Sequence, residues 1–158
     1  MGEALEFENF PATKVVPELF SQEKAAHYWP MIEEELIKVD HLWSHRWTLE
    51  SIRQSIEIGQ TQVWGFGSDE TIHFVMLTQI DIYPAAKVLR IFLALGTLGK
   101  EDEFMNSAYD VVESFAKACG CVEIEVTGRL GWAKKLARFG PRRAYAVLVK
   151  SVMMGSVH

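Results

Sequence analysis

The chain has 158 residues, 49% of them hydrophobic, which is enough for one domain with a substantial core and argues against intrinsic disorder. Its formal net charge of −5 argues against nucleic-acid binding, which depends on a positive surface. No apolar run is long enough to cross a bilayer, and the acidic amino terminus lacks a signal-peptide pattern, so we expect a cytoplasmic protein that does not engage membranes.

The amino-terminal part of the chain is predicted to be helical after a short arm. Residues 1–20 are mixed in composition and indicate that arm. Apolar side chains then recur at intervals of three and four up to Trp43, which predicts helix after an N-cap at Ser21. Thr48 is predicted to cap a further helix, which ends at Gly59.

The middle of the chain is predicted to form strands. Two strands, 62–66 and 72–82, flank the turn-forming cluster 67–70 and should therefore form a hairpin. The next strand, 88–95, is apolar except for Arg90, as expected of a central strand that is covered on both faces.

The carboxyl-terminal part alternates helices and strands. A long amphipathic helix is predicted over 101–119, with Gly120 as its stop, and a strand over 122–126. A short basic helix follows, whose charged face is either solvated or a contact for an anionic ligand or an acidic partner. A last strand is predicted at 145–149. This order indicates a single domain over 1–158 of α/β or mixed α+β class.

Two small groups of potential metal ligands are weak signals. His41 and His45 lie four residues apart beside Asp40, a spacing that one face of a helix can present to a metal. No third ligand follows at a convincing spacing, so we expect no metal there. Cys119 and Cys121 are too few for a zinc site, and we expect both to be reduced and half-buried, which suits the cytoplasm.

The turn between the strand at 88–95 and the helix at 101–119 is the strongest indication of a ligand site. It contains Gly96 and Gly99, in the order strand, glycine turn, helix amino terminus. Many folds use that order to present backbone N–H groups to a phosphate. Because glycine adopts backbone angles that other residues avoid, we expect a positive φ at one of these two glycines.

This order of elements resembles the GNAT N-acetyltransferase fold over about residues 20–150. Residues 88–119 resemble the acetyl-CoA-binding core of that family, and 121–140 look like the strand and helix that follow it. The resemblance implies a twisted mixed sheet flanked by helices. In that sheet, the strands at 88–95 and 122–126 are parallel neighbours that splay apart, so that acetyl-CoA enters between them. The implied cofactor contacts are Leu93 and Leu95 on the strand, Gly96, Thr97, Gly99 and Lys100 in the turn, and Trp132.

The resemblance also implies catalytic positions, although the sequence departs from the family pattern. The candidates for a general base or acid are Asp81, Glu123 and Tyr145, with Glu125 as a further strand carboxylate. The turn lacks the Arg or Gln that the family uses, and Ala137 stands about where the family places a catalytic Tyr. Three carboxylates at 101–103 open the following helix and would repel a pyrophosphate.

These departures leave two functions open. The runs 128–132 and 136–140 are similar to small GNAT-like proteins encoded in the morphogenesis regions of tailed phages, including internal virion proteins. That resemblance implies a structural or interaction component in virion assembly, with other protein subunits or a second copy as partners and a degenerate site that binds acetyl-CoA weakly or not at all. The alternative is an active acetyl-CoA-dependent N-acyltransferase. From the sequence alone we favour the first.

Overall fold

The computed structural model describes residues 17–68, 71–96, 101–127 and 147–152, with only the backbone for residues 68, 71 and 101–107. Internal contacts divide the chain into two units, Met1–Gly128 and Arg129–His158, and each is described by itself. A single domain over residues 1–158 stays a prediction.

The first unit contains the described strands and helices. The strands are β1 (Glu18–Leu19), β2 (Thr61–Ser68), β3 (Thr71–Ile82), β4 (Lys87–Gly96) and β5 (Glu123–Val126). The helices are α1 (Gln22–His27), α2 (Trp29–Lys38), α3 (Leu49–Glu57) and α4 (Glu101–Ala118), with a 3₁₀ turn at Asp40–Leu42. No helix in these described ranges is long and apolar enough to span a membrane.

The described strands form one sheet in the order β1-β2-β3-β4-β5. Neighbours from β1 to β4 are antiparallel, and β5 pairs with β4 in parallel. A parallel neighbour needs a long crossover so that the chain can return to the same end of the sheet, and α4 supplies it. The predicted mixed sheet, its hairpin and its parallel pair are therefore confirmed.

Local hydrogen bonds set the helix boundaries where the sequence predicted them. The Ser21 side chain accepts a hydrogen bond from the Lys24 backbone N–H at 3.0 Å and so caps α1. Thr48 and Ser51 form a reciprocal capping box at the start of α3. Gly59 follows α3 with a φ of 82°, the left-handed conformation that commonly ends a helix.

The helical segment before Trp43 is shorter than its side-chain pattern predicts. α2 ends at Lys38, and a 3₁₀ turn follows. The indole Nε1–H of buried Trp43 instead donates to the Leu36 carbonyl oxygen at 2.9 Å. The same carbonyl also accepts a hydrogen bond from the Val39 backbone N–H at 3.0 Å, which closes the last turn of α2. The indole therefore binds at the helix end, and the apolar spacing continues while the backbone helix does not.

Helices cover both faces of the sheet, as predicted for a central strand such as β4. On the face that we call the α1–α3 face, buried side chains from the first three helices meet Val63, Val75, Leu77, Leu93 and Leu95. On the opposite face, called the α4 face, Ala108, Val112 and Ala116 meet Trp64, Phe66, Phe74, Met76, Leu89 and Ile91. Adjacent residues of β2 and of β3 alternate between the two cores, as the pleat requires.

Two predicted boundaries need correction. The turn predicted at 67–70 is shorter, because β2 extends to Ser68 and β3 begins at Thr71. A bulge at His73, which has no register partner in β2, lets the strands continue. The strand predicted at 145–149 is wrong for residues 147–149, which are exposed and form no regular structure in the described part of the second unit. A strand needs a partner for its backbone, and a sequence pattern names none.

A buried hydrogen-bond network links β2 and β3 on the α4 face. The Thr78 hydroxyl, which is fully buried, accepts a hydrogen bond from Trp64 Nε1 at 3.1 Å. It donates one to Gln62 Oε1 at 2.8 Å. The hydroxyl is therefore the acceptor on which a buried indole N–H depends.

We expect Thr78→Val to lower the free energy of unfolding by about 2 kcal/mol, because it leaves the buried Trp64 N–H without an acceptor. The same substitution should lose less in a Trp64→Phe background, where that donor is absent. Urea denaturation of the four proteins in this cycle measures the difference. Equal losses in both backgrounds would contradict the role of the hydroxyl.

Candidate functional site

The parallel pairing of β4 and β5 stops part of the way along β4. Register pairs run from Val88 and Glu123 to Ile91 and Val126, and the Thr127 N–H then donates to the Ile91 carbonyl oxygen at 3.0 Å. β4 itself continues to Gly96. From Phe92 onward, no described strand pairs with the edge of β4 that faces β5.

A bulge in β4 lies at the point where this pairing stops. In the register with β3, Leu77 faces Leu93 and Thr78 faces Ile91, so Phe92 is the extra residue. The bulge exchanges the faces of the strand: Ile91 packs in the α4 core, whereas Leu93 packs in the α1–α3 core. Without it, both residues would point to one face.

The bulged residue, Phe92, lies between two other side chains on the α1–α3 face. Its ring stacks on the Trp47 ring with centroids 5.6 Å apart and an interplanar angle of 14°. The Arg90 guanidinium lies 5.4 Å from its centroid, within the range of a cation–π contact. The sequence analysis missed this group, since Trp47 and Phe92 are 45 residues apart.

Asp81, a predicted catalytic carboxylate, forms an ion pair with Arg90. The Arg90 Nε–H donates to Asp81 Oδ2 at 2.8 Å, and both side chains are 24% exposed. Arg90 also donates to Gln79 Oε1 at 3.0 Å. Asp81 is thus engaged in holding a guanidinium at this face, and its catalytic role stays a prediction.

Arg90 belongs to a polar row that crosses the sheet. The row joins Thr61, Gln79, Arg90 and Glu125, which are register partners on successive strands. Gln79 Nε2 donates to Thr61 Oγ1 at 2.8 Å, and the Thr61 and Ser55 hydroxyls are also 2.8 Å apart. The row therefore ties β4 to α3 by way of β3 and β2.

The register separates the two glutamates of β5. Glu123 is exposed and pairs with Val88, at the end of the ladder away from the unpaired edge. Glu125 is half-buried and stands one position before the ladder ends. Ile124 and Val126 pack in the α4 core, so both glutamates lie on the α1–α3 face. Of the two, Glu125 is the carboxylate nearer the edge of β4 from Phe92 to Gly96 that has no described strand partner, which we call the opening.

Gly96 ends β4 with a φ of 148°, which confirms the predicted positive φ in this turn. A Cβ at this position would lie 2.5 Å from the His73 carbonyl oxygen and 2.7 Å from Phe74 Cα. Phe74, which follows the bulge at His73, is the register partner of Gly96. The glycine is therefore required by both its backbone angle and the close approach of β3. The other predicted contacts, Thr97, Gly99, Lys100 and Trp132, lie outside the described residues, as does Tyr145.

A small apolar gap lies beneath the parallel pair. It has a volume of about 10 Å³ and is lined by Met76, Ile91, Ala108, Tyr109, Val112 and Ile124. That volume holds about one water molecule, so the gap itself is no ligand site. Burial, and secondarily the Glu113 carboxylate, raise the pKa of Tyr109, whose side chain lines this gap.

The weaker sequence signals are two exposed histidines and two half-buried cysteines. His41 and His45 are exposed, and no group of three metal-ligating side chains occurs within the described ranges. Cys119 and Cys121 are free and half-buried, as predicted. Burial, and then the neighbouring Cys119, raise the pKa of Cys121. The raised pKa favours the protonated thiol, which is less reactive than the thiolate.

No family model matches the sequence, and no curated protein matches it. Solved structures do match the fold. An acetyltransferase from Trypanosoma brucei shares 10% identity with a TM-score of 0.63, over 88% of this chain and 100% of its own. A ribosomal-protein-alanine N-acetyltransferase from Brucella melitensis shares 8% identity with a TM-score of 0.63, over 87% and 100%.

The aminoglycoside N-acetyltransferase AAC(6')-Iy, solved in complex with CoA, shares 10% identity with a TM-score of 0.64, over 88% of this chain and 95% of its own. Likeness at this level of identity concerns the fold alone, so the resemblance to phage proteins stays a prediction. The mixed sheet, its parallel pair and the helices on both of its faces give the chain the fold of the GNAT acetyltransferases.

Proposed function

We propose that the chain is an acyl-CoA-dependent N-acyltransferase. The observation that supports this best is the edge of β4 after Ile91, which has no strand partner among the described residues. An exposed strand edge can pair with the amide groups of an extended ligand as it would with another strand. The pantetheine arm of CoA contains such amide groups, whereas most small metabolites do not.

The residues of this edge suit that cofactor. The backbone of Leu93 and Leu95 would hold the pantetheine arm, and their side chains are buried in the α1–α3 core, which fixes the edge in place. Beyond Gly96, the turn residues Thr97, Gly99 and Lys100 are proposed to contact the phosphates, and Trp132 to contribute a further contact. When bound, acetyl-CoA supplies the acyl group as a thioester.

Glu125 is the residue we propose as the general base. It stands where the ladder ends, on the α1–α3 face, and its carboxylate would accept a proton from the acceptor ammonium group. The neutral amine would then be acylated by the bound thioester: the C–N bond forms as the C–S bond breaks, and the second proton of the nitrogen passes to solvent. Tyr145, proposed from the sequence, would donate a proton to the sulfur that leaves. Asp81 acts in this proposal through Arg90, which it holds.

A second function, favoured from the sequence, is that of a structural component with a degenerate site, in the host cytoplasm or in a virion. The observation in its favour is the second unit, where Val147, Leu148 and Val149 are 68%, 93% and 71% exposed. An exposed apolar segment is a common feature of surfaces that bind other protein subunits. Under this function, the partners are other assembly proteins or further copies.

Calorimetric titration with acetyl-CoA tests the first proposal. We expect saturable binding in the titration. In a separate thermal unfolding measurement, acetyl-CoA at a concentration of 100 times its Kd should stabilise the fold by about 2.7 kcal/mol. ADP, which has the pyrophosphate without the pantetheine arm, serves as the control ligand and should bind more weakly. The absence of any binding by acetyl-CoA would leave the structural function as the better proposal.

Two charge substitutions then separate the proposals further. Neutralising Glu101 and Asp102 together, by Glu101→Gln and Asp102→Asn, should strengthen acetyl-CoA binding by up to about 1 kcal/mol, because two negative charges near the pyrophosphate are removed. The matched control combines Asp110→Asn with Glu113→Gln, which removes two charges from exposed positions further along α4 and should leave acetyl-CoA binding unchanged. A purely structural protein would show no detectable binding in any of these forms.

A further inference from the structure

The position of the bulge in β4 is not fixed by the hydrophobic pattern of the strand. β4 has apolar residues on both faces, from Val88 to Leu95. In such a strand, a one-residue shift of the bulge replaces one apolar side chain in each core with another. Register is strongly specified only where the two faces differ in polarity, so something other than this pattern must fix the bulge.

The side chain of the extra residue provides that restraint. The Phe92 ring is held between the Trp47 indole, at 5.6 Å, and the Arg90 guanidinium, at 5.4 Å. No other position of β4 carries an aromatic ring. A shifted bulge would therefore place an aliphatic side chain between the indole and the guanidinium and would lose both contacts.

Both outer members of this group are themselves held in place. The Arg90 guanidinium donates hydrogen bonds to Asp81 and Gln79. The Gln79 amide donates to the Thr61 hydroxyl, which is hydrogen-bonded to Ser55 on α3. Trp47 immediately precedes Thr48, the residue that caps α3. The backbone N–H of Trp47 donates to the Trp43 carbonyl oxygen at 3.0 Å. Two routes thus connect α3 to the bulge, one polar and one aromatic.

We propose that Trp47, Phe92 and Arg90 form a clamp that fixes the bulge of β4 and thereby the width of the opening that receives the pantetheine arm. Trp47 is a positioning residue: it acts through Phe92 on the backbone of residues 92–96. The inference rests on the proposed function for its ligand, whereas the fixing of the bulge stands on the geometry alone.

The test compares Trp47→Leu with Trp47→Phe, which keeps a ring that can stack on Phe92. Trp29→Leu is the control, since Trp29 also packs half-buried against the α1–α3 core but lies on α2. Hydrogen–deuterium exchange is followed in peptides that cover 92–96 and 87–91, and acetyl-CoA binding is measured by calorimetry. Where turnover is detectable, KM for acetyl-CoA is compared with kcat.

We expect Trp47→Leu to accelerate exchange in 92–96 relative to 87–91 and to weaken acetyl-CoA binding about 2- to 10-fold, the factor that corresponds to one aromatic pair. Trp47→Phe should keep the exchange rates and the acetyl-CoA affinity of the unmodified chain, and so should Trp29→Leu. Arg90→Lys keeps the charge opposite Asp81 but loses the planar guanidinium, and it should reproduce the effect of Trp47→Leu.

Unchanged exchange in 92–96 for Trp47→Leu would overturn the clamp, as would an equal change in Trp29→Leu. If exchange responds as expected but the unmodified chain binds no acetyl-CoA, the proposed function fails and the fixing of the bulge is retained. If acetyl-CoA binds the unmodified chain and Trp47→Leu equally well, the function is retained and the clamp is not what sets the opening.

Discussion

Replacing Gly96 with alanine is expected to lower the free energy of unfolding by about 3 kcal/mol. A positive φ strains any residue that has a side chain, by roughly 1–3 kcal/mol. The added Cβ would also approach the His73 carbonyl oxygen and Phe74 Cα to 2.5 and 2.7 Å, and these are backbone atoms that cannot rotate away. Relief requires β3 and β4 to separate at the end of β4.

Gly120→Ala is the matched control for this prediction. Gly120 also has a positive φ, 83°, but a Cβ there would meet only the end of the Lys87 side chain, at 4.0 Å. Gly120→Ala should therefore lower the free energy of unfolding only by the backbone strain of a positive φ, about 1–2 kcal/mol. Urea denaturation measures both variants. Equal losses would show that the close approach of β3 to Gly96 contributes nothing.

Glu125→Gln is expected to lower kcat by about 100-fold or more, the range in which a positioned general base contributes. The amide keeps the size of the side chain but cannot accept the proton of the acceptor amine. KM for acetyl-CoA should change little, because the substitution removes a proton acceptor and leaves the edge of β4 as it is. Steady-state kinetics over a range of amine acceptors measures the effect.

Glu123→Gln is the comparison, since Glu123 lies on the same strand and the same face. If Glu125 is the base, the Glu123 variant should retain nearly all of its activity. If Glu123 acts as the sequence alone suggested, the two results will be reversed. Full activity in both variants would contradict either assignment and would favour Asp81, which Asp81→Asn then tests.

The elements of the first unit follow from local signals in the sequence. Ser21 and Thr48 each bond to the backbone three residues ahead, so a cap is visible without knowledge of the fold. The hairpin of β2 and β3 follows from a turn between two strand-like runs. Glycine at position 96 indicated a positive φ because other residues adopt it only with strain.

Only the tertiary structure decided how these elements form a site. The bulge at Phe92 could not be predicted from the sequence, because both faces of β4 are apolar. A shift in the two-residue alternation of a strand shows in the sequence only where the two faces differ in polarity. The difference between Glu123 and Glu125 depends on the residue of β4 that each faces, which alternation alone does not give. The contact of Trp47 with Phe92 joins residues that are distant in sequence, and no local propensity encodes it.

The sequence by itself therefore determined the order of elements and the place of the turn, since these rest on interactions within a few residues. The mixed sheet was expected from the resemblance of that order to a known fold. The tertiary structure decided which backbone edge of β4 stays without a described strand partner, which side chain fixes its bulge and which carboxylate stands beside it. Those properties depend on register between strands, and register is set by packing across the whole core.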